Sequence, residues 1–393
     1  MLIWKTALSL NWRTSLVSPS SAPAAAANVE RLVLTGATGF IGSAVLVALV
    51  NAGLVDRVRC LVRARDRAHG LERLRAAALR GGLAPYWVER LTEANVIVGE
   101  LGGVLSANDH AQLRAASHVI NCAGLTTLSP KTAEAAAHVD DSLRFAERFA
   151  GSARLQRFLH VSAAFVSDGD GSGTVFEHDD AGADGAELTP YAGSKRKVEE
   201  RLRGLDLPLV LARPSSVVGH TMLGTQPSSS TFWMFRIIHA ARRFTARPMT
   251  RVDVISVDDC ARALMLLAVK PALAHDLYHV SVGDEAPTVT QIVRAMDEAE
   301  GMEGVPRYAL CGSAEFPLIA RGLIGRRDRA RERLVEQALH LYAGYAELDH
   351  IFDNGRARDE IDFEPLPFVD YVNECMRTSR GIGVLDQMRA DLP

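Results

Sequence analysis

Cysteine is scarce in this chain and scattered where it occurs. No two of Cys60, Cys122, Cys260, Cys311 and Cys375 lie within a few residues of each other. That excludes a C-x-x-C redox pair and a zinc knuckle, and it suits a reducing, cytoplasmic compartment. The twelve histidines show no H-E-x-x-H or related spacing, so no metal site is expected. No run of about 18 uninterrupted apolar residues occurs, so no membrane-spanning helix is expected. Asp and Glu number 47 against 44 Lys and Arg, too even a balance to argue for a nucleic-acid partner. Internal repeats and long blocks of one charge are also missing.

Residues 1–28 stand apart as a disordered or leader segment. Met1–Val17 is apolar but broken by Lys5, Asn11 and Arg13, and Ser18–Ala27 is built only of Ser, Pro and Ala. A secretory signal needs an unbroken apolar stretch. A disordered tail, an upstream start codon or an acid-free transit leader are the readings left.

What is present is an ordinary globular composition, 48% apolar and 23% charged, over 393 residues. That length suits a nucleotide-binding domain plus a second lobe. Short apolar runs at Arg31–Thr35, Val58–Val62, Val96–Val98, His118–Ala123, Phe158–Val161 and Leu209–Ala212 read as buried strands, with helical patterns between them. Alternation of this kind predicts a doubly wound parallel α/β sheet. The pattern changes after about Pro214. A Gly/Ser/Thr/Pro-rich loop leads into a helix over Thr231–Phe244, and a strand at Val252–Val257 precedes a helix capped by Asp258 or Asp259. From about Pro287 the chain reads as mostly helical. The expected division is a nucleotide-binding domain of residues 29–213 and 251–284, with a smaller, mostly helical substrate-binding lobe of residues 214–250 and 285–393.

Three motifs carry chemistry. Gly36, Gly39 and Gly42 in T35GATGFIG42 follow a strand and open a helix. There, glycines allow a tight turn and let backbone N–H groups approach a pyrophosphate, aided by the helix N-terminus. At the end of the next strand, where a carboxylate would bind a ribose 2′-hydroxyl, stands Arg63, with Arg65 and Arg67 behind it. A cation there suits the 2′-phosphate of NADP(H), and Asp66 is too far along to be the obvious ribose ligand. Tyr191 and Lys195, spaced i and i+4 behind Pro190, share one helix face. An ammonium lowers the pKa of a neighbouring phenol, so such a pair can move the proton that accompanies hydride transfer.

With N121CAG124, H160VSAAFVS167 and R213PSSVVG219, these motifs make the chain resemble the extended short-chain dehydrogenase/reductase family over roughly residues 30–285. C60LVRARD66 and the helical C-terminal lobe are similar to one branch of it, the fatty acyl-CoA reductases and the thioester-reductase domains of carboxylic acid reductases. The resemblance implies a Rossmann fold. It implies Tyr191 as acid/base and Lys195 as ligand of the nicotinamide ribose. It implies a cofactor cradle from Gly36, Thr38, Gly39, Phe40, Ile41 and Gly42, lined further by Ala123, Gly124, Pro214 and Val217. One departure stands out. The family's substrate-orienting Ser or Thr falls at position 163, which is alanine here, and Ser162 stands one residue earlier. Neighbouring residues of a strand face opposite ways, so Ser162 replaces that hydroxyl only if the strand end twists or slips. Thr126 or Thr127 are other sources of a hydroxyl.

Two basic stretches have bland and sharp readings. W233MFRIIHAARRFTAR247 either covers the cofactor cleft or holds the phosphates of an acyl carrier. Arg321–Arg333 is either a solvated face or a peripheral contact with a membrane or carrier protein. The function expected is NADPH-dependent reduction of a fatty acyl or other thioester-bound group, small-molecule or carrier-bound, to aldehyde or alcohol. The alternatives are a sugar-nucleotide epimerase or dehydratase, a steroid-type alcohol dehydrogenase, and a non-catalytic NADP-binding sensor or scaffold.

Overall fold

The computed structural model describes residues 28–124, 132–167, 173–178, 190–228, 230–302, 308–324, 339 and 349–391. Residues 1–27, Thr126, Thr127 and residues 325–333 of the second basic stretch lie outside them. The core is a seven-stranded sheet of β1 (Leu32–Thr35), β2 (Val58–Val62), β3 (Val96–Val98), β4 (His118–Asn121), β5 (Arg157–Val161), β6 (Leu209–Pro214) and β7 (Leu277–Val280). Its strands run parallel in the order β7-β6-β5-β4-β1-β2-β3. The chain winds outward from β1 through β2 and β3, then returns to place β4 on the other side of β1. This is the switch point at which open α/β sheets bind nucleotides.

Both faces of the sheet are covered, so its strands are apolar throughout. Leu32, Leu34, Ile120, Leu159 and Val161 pack on one face against the helices α1 (Phe40–Asn51) and α6 (Val257–Val269). Val33, Val119 and Phe158 pack on the other against α3 (Thr132–Glu147) and α4 (Pro190–Arg203), through Phe145, Val198 and Leu202. The split follows the two-residue alternation of strand side chains. Between α1 and α3 in the chain comes α2 (Arg67–Arg80), whose N-cap Asp66 accepts a 2.8 Å hydrogen bond from the His69 amide.

Several boundaries differ from expectation. β4 stops at Asn121 rather than Ala123, and β6 runs on to Pro214. The helix α5 (Phe232–Ala241) ends three residues early because Arg242 turns left-handed at φ 53°. Arg243–Phe244 then pairs with Ala309–Leu310. The strand expected over Val252–Val257 shrinks to Val254–Ile255, paired with Ser216–Val217. The cap of α6 is neither Asp258 nor Asp259. Ser256 takes that position and accepts from the Asp259 amide at 3.1 Å. The helix begins at Val257, so both aspartates lie inside its first turn: Asp259 accepts from the Ser256 hydroxyl at 3.1 Å and from the Leu366 amide at 3.0 Å, and Asp258 accepts from the Thr221 amide at 3.0 Å.

Beyond the sheet, Phe232, Ile292, Met296, Phe368 and Tyr371 form a second core, and Trp233, Met234, Ile237 and Phe316 a third. The far C-terminal segment returns to the first core. His350–Phe352 pairs in parallel with Gly173–Val175, and Ala357 and Phe363 pack with the sheet. Among the described residues no helix is long and apolar enough to cross a membrane.

Candidate active site

Every sequence-expected site residue among the described residues belongs to an element or loop at the carboxyl edge of the sheet. Gly36 leaves β1 at φ +69°, a conformation that suits glycine, and a Cβ there would stand 2.9 Å from the Ala123 amide nitrogen. Gly42, inside α1, is packed so closely on the turn that a Cβ would come within 2.1 Å of the Gly36 carbonyl oxygen. The Gly39 amide closes the turn on that same carbonyl at 2.9 Å. Gly39 caps α1 without a side chain, which leaves the helix start bare beside Thr38, Phe40 and Ile41. This backbone cradle fits a pyrophosphate.

The end of β4 is tied to the turn by side chains. The Thr35 hydroxyl accepts from the Ala123 amide at 3.0 Å and donates to Asn121 Oδ1 at 2.7 Å. That fixes the Asn121 amide, whose Nδ2 donates to His160 Nδ1 at 3.1 Å. At the end of β2, Arg63 is exposed, while Arg67 is committed to an ion pair with Asp109. Asp66 is committed to its helix cap.

Tyr191 and Lys195 sit on the first turns of α4, and the Lys195 Nζ lies 5.8 Å from the Tyr191 ring centroid. Lys195 is only 6% exposed, and its Nζ reaches the Val161 carbonyl at 3.4 Å. Burial pushes its pKa down to about 8, partly opposed by the Cys122 thiol and Glu199. Gly124 makes room for it: a Cβ there would be 2.9 Å from Nζ and 3.8 Å from His138 Nε2. Burial, and then the Lys195 charge, hold His138 down at about 4 and His160 well below its ordinary value. Burial raises the Cys122 thiol to about 12. The helix α4 is anchored by a buried fork: Arg213 at the end of β6 donates to both Glu199 oxygens, at 3.0 and 2.6 Å.

The strand end at Ser162 keeps its register. The Ser162 amide donates to the Ala212 carbonyl at 2.8 Å, and Ala163 is fully extended at φ −152°, ψ 144°. Alternation therefore puts Ser162 on the face of His160, which is the α4 face, and Ala163 on the other. No slip is needed for this. The Ser162 Oγ is buried and has no hydrogen-bond partner among the described residues.

Where β5 and β6 end, a cleft opens, with walls that include Phe165, Ser216, Met234, Phe244, Met296 and Phe352. Of the basic residues on and after α5, Arg236 donates to the Ile382 carbonyl and Arg242 to Tyr308, so both serve internal packing. Sequence reasoning missed His138, His160, the Arg213–Glu199 fork and the cleft walls outside the Trp233–Arg247 stretch. No sequence signal marked the two imidazoles, since His-Val also occurs at 118–119 and 279–280. Among the described residues no group of three or more His, Cys, Asp or Glu could hold a metal ion.

The fold and the site define the extended short-chain dehydrogenase/reductase class of NAD(P)-dependent oxidoreductases. A model of the NAD-binding family described as male sterility protein matches residues 34–264, more than half of the chain, and the chain belongs to that family. It is 29% identical over 274 residues to the non-canonical nonribosomal peptide synthetase FrzA of Cladobotryum sp, covering 64% of this chain and 26% of that protein. The chain thus spans about a quarter of the length of that relative. It is 28% identical over 275 residues to a ceramide reductase of Caulobacter vibrioides, covering 69% of this chain and 70% of that one. Its fold is similar to the terminal R domain from the myxalamid PKS-NRPS pathway. That match has a TM-score of 0.69, covers 90% and 91% of the two chains, and has 17% identity.

Proposed function

We propose that this protein is an NADPH-dependent reductase of a fatty acyl or other thioester-bound carbonyl, taken as a small molecule or on a carrier. The observation that carries the reading is the convergence of Tyr191 and Lys195 with the glycine turn at the carboxyl edge of the sheet, from which Phe165 and Ser216 lead into an apolar cleft. The exposed Arg63, together with the engagement of Asp66 in a helix cap, supports NADPH over NADH. When bound, the nicotinamide supplies a hydride to the carbonyl carbon. Tyr191 gives its proton to the carbonyl oxygen where an alcohol forms, or to the departing thiolate where a thioester becomes an aldehyde. Lys195, still largely charged at pH 7, holds the ribose and eases the proton off the phenol. The unpartnered Ser162 hydroxyl is the group that grips the substrate oxygen. Ala163 favours a second reading, a non-catalytic NADP-binding scaffold.

The test is NADPH oxidation, run beside NADH, across acyl-CoAs, aldehydes and ketones. Oxidation of NADPH with acyl-CoA or aldehyde is expected. NADPH binding with no oxidation across the whole panel would establish the scaffold instead, and tightly retained NAD would favour an epimerase.

A further inference from the structure

We infer that the acyl group taken is an aliphatic chain rather than a peptide, that its hydrocarbon tail lies in the cleft, and that Phe244 and Val293 set its length. The inference rests on the reductase reading above and adds to it the class of acyl group and the residues that select it.

The cleft lies where separate parts of the apolar interior stop short of one another. Phe165 and Phe352 belong to one cluster of apolar side chains and Met234 to a second. Val254, Ile292 and Met296 belong to a third, and Phe244, Val289 and Val293 to a fourth. All four border the cleft. One wall is the helix α7 (Val289–Ala299), started by a capping box between Thr288 and Gln291. Its Val289, Ile292, Val293 and Met296 recur at i, i+3, i+4 and i+7 and so form one apolar stripe along the cleft.

Strand register gives the cleft a direction. Ser216, two residues past Pro214 at the end of β6, pairs with Val254. Val252 stands two residues back along the same chain, roughly 7 Å farther from Ser216 by the rise of an extended strand. Beyond it the Val289 amide donates to the Thr250 carbonyl at 2.9 Å, which brings the start of α7 to that end. Phe244 and Val293 pack there with Val289. The cleft therefore runs from the catalytic end at Ser216 to a remote end at Phe244 and Val293.

Polar side chains gather at the two ends. Thr231 stands with Ser216 at the catalytic end, because its neighbour Ser230 donates to the Val217 carbonyl at 2.8 Å. Thr245, Arg251 and Asp349 stand at the remote rim, where Arg251 donates to the Asp284 carbonyl and Asp349 accepts from the Arg251 amide, both at 3.0 Å. Between the ends, Ile238, Val252, Val254, Ile292 and Met296 offer no hydrogen bond. Asp253 is also in the wall, but it accepts from the Val282 and Phe352 amides at 3.0 Å. His350 sets its ring edge-on to Phe352. A peptide amide drawn into this stretch would lose its water without a side chain to replace it, whereas each methylene gains from burial.

Two arms test this on the full chain with NADP+ bound. Binding of S-alkyl N-acetylcysteamine thioethers, which have no thioester carbonyl to reduce, is measured by calorimetry over chains of four to sixteen carbons. Affinity should rise by up to about fourfold per methylene and then level off once the chain reaches the remote end. Val293→Phe should bring the plateau to shorter chains, and Phe244→Ala should move it to longer ones. In turnover of the matching acyl thioesters with NADPH, the ratio of kcat/KM for long over short chains should fall about tenfold or more in Val293→Phe and rise in Phe244→Ala. The two substitutions act in opposite directions, so Phe244→Ala carries the test if Val293→Phe does not fold. Affinity that climbs without a plateau and ignores both substitutions would overturn the inference, as would peptidyl thioesters of equal length reduced as efficiently as alkanoyl ones. The plateau found in a wild type that oxidises no NADPH would defeat the reductase reading and leave the cleft as an alkyl-binding site. NADPH oxidation without the plateau would keep the reductase and overturn the inference alone.

Discussion

The glycine turn and the Lys195 pocket meet at Ala123 and Gly124, where the turn approaches the first residue and the ammonium the second. They are built differently. The turn is eight consecutive residues whose geometry is held by backbone contacts, and its function depends on side chains being absent. The pocket draws Cys122, His138, His160 and Lys195 from four separate parts of the chain, and its function depends on where charge and protons can sit. The turn should therefore fail through steric overlap, and the pocket through protonation with the fold intact.

The larger of the two effects on binding and stability is expected on the turn. Gly42→Ala forces a methyl to within 2.1 Å of the Gly36 carbonyl oxygen, and backbone has to move. Overpacking of this kind costs about 3 kcal/mol, or roughly a hundredfold in affinity if it falls on the cofactor-bound state. Fluorescence titration with NADPH should show that loss, and unchanged binding would mean the turn does not hold the cofactor.

The pocket should respond in the opposite direction. Lys195 is held at about 8 against an ordinary 10.5, so the folded chain favours the neutral amine. That stabilising contribution is complete above 10.5 and is lost as the pH falls through about 8. At pH 7 the buried ammonium then costs roughly 3 kcal/mol. Lys195→Met should accordingly raise the unfolding free energy of the cofactor-free protein by about 1–3 kcal/mol at pH 7. The gain should shrink towards pH 10. Urea unfolding at the two pH values checks this, and a gain independent of pH would remove the electrostatic account.

The same contrast governs what the sequence made legible. The turn, the parallel strands and the Tyr191–Lys195 spacing are local patterns, and local patterns carry their physics with them. The pairing of Gly173–Val175 with His350–Phe352 joins segments far apart in the chain, and three residues hold too little periodicity to announce it. The cap of α6 fell to Ser256 because the helix starts at Val257, three residues before the expected Cys260, and its first turn is held by Asp258 and Asp259 through the Thr221 and Leu366 amides, partners that no local window contains. The roles of His138 and His160 are likewise tertiary. An imidazole on a helix or a strand is unremarkable until its neighbours are known.

The account's central claim is that Tyr191 supplies the proton for a hydride transfer from NADPH. Turnover and NADPH binding of Tyr191→Phe, measured side by side, test it most directly. The account predicts that kcat falls by about 100- to 10,000-fold while NADPH affinity stays within about twofold. A Tyr191→Phe protein that keeps the wild-type rate would contradict it.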